Sequence, residues 1–201
     1  MRSIAFISIL CAMLAVPCMG GVINFDDGTA DTPVGSFYSA SLGVTFVNGL
    51  FVQNYGAPGS SGTLAVASET GHDPYGPFPY TFGYPERVQV LFDSPQFAVS
   101  LVALDVGVAG ARIDAYDQTV GGTQVGYDEA FGVGQGVGHY VTLSVSGSEI
   151  RRLEIYQPSY NGSDGISADN LKFTVPEPST CGLIGVGLLL VSLAVRRLKR
   201  A

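Results

Sequence analysis

The chain has 201 residues, a formal net charge of −7, 27 glycines, no tryptophan and only 13% charged residues. That length suits one domain with short extras rather than two full domains. The 46% hydrophobic content argues against disorder, the acidic balance against a phosphate-neutralising nucleic-acid binder, and the glycine content against a helical bundle.

The first element, residues 1–20, reads as a secretory signal peptide. Arg2 supplies the positive charge and Ile4–Val16 the apolar run, and Pro17-Cys18-Met19-Gly20 makes a small-residue exit. About a dozen apolar residues are too few for a comfortable membrane span. Cys18 and Gly20 place small residues at −3 and −1, so cleavage is expected after Gly20. A lipoprotein reading would acylate Cys18, and Pro17 directly before it fits that poorly.

The exported part, residues 22–174, holds sixteen acidic and five basic residues, a net charge of −11. Such a surface favours solubility, and it also suits Ca²⁺. Its pattern is β nearly throughout. Strands are predicted at Val44–Val47, Val88–Phe92, Ala98–Leu104, Ile113–Tyr116, Tyr140–Val145 and Ile150–Tyr156, which are short and rich in β-branched and aromatic residues. Arg152 and Glu154 should share one face and Leu153 and Ile155 the other. Glycine, proline, aspartate and asparagine fall between the runs. About eight to ten strands point to an all-β fold, an antiparallel β-sandwich of jelly-roll or lectin-like type.

Several segments could carry chemistry. Asp26 and Asp27 open the domain, and Asp169 and Asn170 close it. If the first and last strands are neighbours, these oxygens converge and could hold Ca²⁺, which takes hard oxygen ligands; the alternative is turn and strand-end hydrogen bonding. No cofactor is otherwise required. The stretch Gly71–Pro85 carries Tyr75, Tyr80 and Tyr84 among prolines, either as an aromatic platform for sugars or as a loop folded over a sheet. Asp128-Glu129, or Glu149 with Glu154, could pair as glycosidase carboxylates, but an acidic chain offers such pairs by chance. His72 and His139 lack a metal-ligand spacing. Gly132–Gly138 lacks the Lys-Ser/Thr of a phosphate loop and reads as a flexible hairpin loop.

The last element, residues 175–201, has three parts. Pro176-Glu177-Pro178 is followed by an uncharged apolar span, Ser179–Val195, and then by a tail containing Arg196, Arg197, Lys199 and Arg200. As a helix the span would cover roughly 26 Å, adequate with snorkelling arginines. The basic tail should stay cytoplasmic, leaving everything upstream outside. All three cysteines (Cys11, Cys18 and Cys181) lie in the two terminal segments, so the exported part has no disulfide and no cysteine metal site.

This end resembles the PEP-CTERM protein-sorting signal over about the last 27 residues. The opening Ile23–Gly28, the closing Ile166–Phe173 and the segment Ile113–Asp117 likewise resemble the sandwich domain common in PEP-CTERM proteins, as well as lectin-like and carbohydrate-binding jelly rolls. In those domains the first and last strands pair. The resemblance implies processing by an exosortase at the inner membrane of a Gram-negative bacterium, after export through the Sec pathway. It further implies a destination at the cell surface or in the extracellular polysaccharide of a biofilm matrix. The expected role is structural or adhesive and non-catalytic. A carbohydrate-binding module using the 71–85 loop is the alternative, and a secreted glycan-active enzyme a third.

Overall fold

The computed structural model describes residues 20–53, 57–68, 87–134, 136, 138–159 and 165–174. The two terminal segments, the 71–85 loop with Tyr75, Tyr80 and Tyr84, and His72 lie outside the described residues.

The described residues form nine antiparallel strands: β1 (Gly21–Ile23), β2 (Val44–Val47), β3 (Gly49–Gln53), β4 (Leu64–Ser68), β5 (Arg87–Leu104), β6 (Ala111–Tyr116), β7 (Gln124–Ala130), β8 (Tyr140–Tyr156) and β9 (Ser167–Thr174). One short helix, α1 (Ser39–Leu42), precedes β2 and ends at Gly43, whose left-handed backbone closes it.

Two long strands build the sandwich. The first half of β5 lies between β2 and the second half of β8, which continues to β6 and β7. The second half of β5 lies between the first half of β8 and β9, which continues to β1, β4 and β3. Register shifts between Leu91 and Ala98 mark where β5 passes from one layer to the other. Bulged strands that switch layers are how a single ladder folds over itself. Pro95 sits within this corner, where a missing N–H costs least.

The alternation of side chains fixes what lies between the layers. Val88, Val90, Phe92, Val99 and Leu101 on β5 face inward, as do Leu143, Val145, Leu153 and Ile155 on β8, and all join one core cluster. The Phe92 and Phe173 rings meet across it at 5.4 Å. A second nest of rings centres on Phe25, which meets Tyr38, Phe46 and Phe51 edge to face. Each such pair is worth about 0.5–1.5 kcal/mol beyond the area it buries. Phe25 holds a left-handed backbone, φ 61°, a cost of order 1–3 kcal/mol that its surrounding rings can offset.

The expected β-sandwich is therefore observed, with β1 paired beside β9. Two pairs of predicted strands prove to be halves of single strands. Val88–Phe92 and Ala98–Leu104 are both β5, and Tyr140–Val145 and Ile150–Tyr156 are both β8. β3, β4 and β7 come in addition.

Candidate functional site

Two polar constellations stand out among the described residues. The first lies where β1 leads into the chain and β9 runs past it. Asp26 and Asp169 converge there on Ser61, whose hydroxyl is 3.4 Å from Asp26 Oδ2 and 3.1 Å from both Asp169 oxygens. The same hydroxyl lies 3.2 Å from the Asn24 carbonyl. Backbone N–H groups serve both carboxylates: Thr63 and Leu64 donate to Asp26 Oδ1, Ser61 to Asp169 Oδ2 and Asn170 to Asp169 Oδ1. Asp169 is fully buried, and that burial raises its carboxyl above the usual range despite the N–H bonds that pull it down.

The other two expected residues turn elsewhere. Asp27 accepts the Tyr38 hydroxyl, and burial together with that bond pushes the phenol well above its ordinary pKa. The Asn170 amide reaches the Gly59 carbonyl at 3.4 Å. Asn170 also adopts a left-handed backbone, φ 51°, which asparagine tolerates better than most residues. The Asp26 and Asp169 side chains thus come together, while those of Asp27 and Asn170 do not join them. The side-chain atoms that meet there are all oxygen, which suits a hard cation such as Ca²⁺. Among the described residues, no group of three or more His, Cys, Asp and Glu could hold a metal.

Gly62 lets the junction close. A Cβ there would stand 2.2 Å from both Asp26 carboxylate oxygens. Gly62→Ala should therefore push Asp26 off the Thr63 and Leu64 N–H groups and cost about 2 kcal/mol. A urea melt checks this; an unchanged midpoint would mean that Asp26 does not hold this loop.

The second constellation went unread in the sequence, apart from the shared face of Arg152 and Glu154, which is observed. It covers the outward side of the layer built by β2, the first half of β5, the second half of β8, β6 and β7. Ladder pairing aligns Arg87, Tyr156 and Arg112 in one row, and Gln89, Glu154, Asp114 and Tyr127 in the next. Asp114 is the hub: Arg112 Nε, Gln124 Nε2 and the Tyr156 hydroxyl reach it at 2.9, 3.0 and 2.7 Å. Burial and the bond to Asp114 push Tyr156 up to about 12. Glu154 pairs with Arg87 and lies 3.2 Å from Arg152 Nε, at an angle too poor for a hydrogen bond. Arg112 also reaches Glu129 at 3.1 Å. Each guanidinium lies over a ring as well: Arg87 over Tyr156 at 4.0 Å, Arg112 over Tyr127 at 4.4 Å and Arg152 over Tyr116 at 4.1 Å.

The carboxylates proposed as catalytic pairs are divided by this geometry. Glu129 turns to Arg112, while Asp128 turns to the Ser144 N–H. Glu154 is engaged by arginines, and Glu149 is exposed. At the start of the glycine run after β7, Gly132 N–H bonds to the Gly107 carbonyl, and Val108 N–H to that of Gly134.

β9 ends at Thr174. Residues 174–200 match the PEP-CTERM protein-sorting motif. The chain carries a PEP-CTERM sorting motif. The fold is similar to the K2 cleaved adhesin domain of Lys-gingipain, at 12% identity and a TM-score of 0.50, over 80% of this chain and 100% of that one. Lower similarity extends to CsCBM6-3 from Clostridium stercorarium, solved with cellobiose (13% identity, TM-score 0.36, 66% and 87% of the two chains). The C-terminal CBM6 of LamC, a laminarinase from Zobellia galactanivorans, scores likewise (13%, 0.36, 78% and 99%). No curated protein matches the chain. The sorting motif thus begins at the last residue of β9, the last strand among the described residues.

Proposed function

We propose that this PEP-CTERM chain is exported through the Sec pathway of a Gram-negative bacterium, held briefly in the inner membrane by its tail, and processed by an exosortase. The mature β-sandwich then serves as a non-catalytic structural or adhesive component of the cell surface or exopolysaccharide matrix. The observation that carries this reading is the sorting motif at residues 174–200, which starts where β9 ends. Pro176 and Pro178 have no backbone N–H to donate, a composition that suits a cleavage segment. The divergence of Asp128 and Glu129 supports a non-catalytic role, because neither is positioned to act with the other on one substrate. The Asp26–Asp169 junction is proposed to take Ca²⁺, supported by its oxygen-only side-chain atoms and by the like charges that would otherwise face each other there.

Deleting Val175–Ala201 tests the sorting reading. The truncated chain should keep its β-type circular dichroism but leave the cell-surface fraction for the periplasm or medium. Surface localisation equal to that of the full chain would sink the proposal.

A further inference from the structure

The outward face around Asp114 has no assigned role, and its composition is unusual for this chain. It gathers Arg87, Arg112 and Arg152, three of the five basic residues in a domain of net charge −11. They are matched there by Asp114, Glu129 and Glu154, so the face itself is neutral. A buried ionic array gains little stability over apolar packing of the same volume. Its retention on a side that does not face the core calls for another explanation.

We propose that this face binds a neutral polysaccharide chain. The proposal rests on the surface-matrix reading above and names its ligand class. A vicinal diol donates and accepts hydrogen bonds together. The face offers both on fixed planar groups, because each guanidinium is held by a carboxylate and a ring at once. Tyr127 adds an aromatic surface that is 58% exposed, suited to the apolar face of a sugar ring. Glu129, two residues along β7, has a side chain 35% exposed, and Arg87, across β6 and β8 on β5, one 42% exposed. Charge settles the polymer class. The acidic domain repels a polyanion, whereas a neutral chain meets donors and acceptors in balance. A protein partner fits worse, since interface centres are depleted in charged residues and this centre is ionic.

Affinity electrophoresis of the full-length chain in a polyoxyethylene detergent tests this, with hydroxyethylcellulose, xylan or galactomannan in the gel and alginate as the anionic comparison. At least one neutral polymer should retard the chain. Tyr127→Ala should weaken that retardation about tenfold while lowering the melting temperature by no more than about 3 °C, from the lost Arg112–ring contact, whereas Tyr127→Phe should keep most of the retardation. Replacing Tyr75, Tyr80 and Tyr84 together by alanine should leave it intact. Unchanged retardation in Tyr127→Ala, or loss confined to the triple variant, would overturn the face while leaving saccharide binding in place. Retardation by alginate alone would overturn the neutral ligand. No retardation by any polymer, with surface localisation intact, would overturn the saccharide proposal and leave the sorting reading standing.

Discussion

Asp114→Ala should destabilise the domain by about 3 kcal/mol, one of the largest single losses available outside the apolar core. The carboxylate is 5% exposed and serves Arg112, Gln124 and Tyr156 at once, with Arg87 at 4.0 Å. Removing it leaves two guanidinium groups beside each other, together with a half-buried phenol that has lost its acceptor. Arg112 keeps Glu129 and some access to water, which holds the loss near the lower end of the range for broken buried pairs. For a domain of this size the melting temperature should fall by about 10 °C. Asp114→Asn, which keeps one acceptor oxygen, should fall between the variant and the parent. A shift below about 2 °C for Asp114→Ala would show that the array is a surface ornament rather than a tie between β5, β6 and β8.

The second large effect is expected at the strand junction. Asp169 is fully buried and accepts N–H groups from Ser61 and Asn170. Asp169→Ala strands both donors and should cost about 3 kcal/mol. Calcium adds a separable term. A ligand that binds only the native state stabilises it by about 2.7 kcal/mol at a hundredfold excess over Kd. Moving from millimolar Ca²⁺ to EDTA should therefore lower the melting temperature by several degrees. Asp169→Asn should be insensitive to that change while retaining a β-type circular dichroism spectrum. Equal melting temperatures for the parent chain in Ca²⁺ and EDTA would leave the junction as a clip of N–H groups on carboxylates. The Asp169→Ala loss would then stand without the metal.

The split readings of β5 and β8 show where sequence pattern runs out. Asp93-Ser94-Pro95 carries turn-forming residues, and a turn and a bulged corner draw on the same vocabulary. Only the partner strand distinguishes them: Gln96 pairs with Ile150 across the corner, so the strand continues. β3 and β4 were missed for the opposite reason. Leu50-Phe51-Val52 and Leu64–Ser68 are buried on both faces, so alternation is absent. β7 is polar and contains Gly126, a weak strand former placed at the end of the ladder.

The candidate sites divide in the same way. The convergence of Asp26 and Asp169 was legible because it needed only the first and last strands to be neighbours. Their link through Ser61 was not, since no local pattern ties residue 61 to residue 169. The Asp114 hub was hidden because its partners come from β6, β7 and β8, and only the register aligns them. Arg152 with Glu154 was visible as one rung, being two apart on one strand.

Intact-mass spectrometry of the protein extracted from the cell surface tests the central claim most directly. The account predicts a chain that begins near Gly21 and ends near Pro176–Pro178, without Arg196, Arg197, Lys199 and Arg200. Surface material that retains those four basic residues would show a plain membrane anchor and contradict processing at the sorting motif.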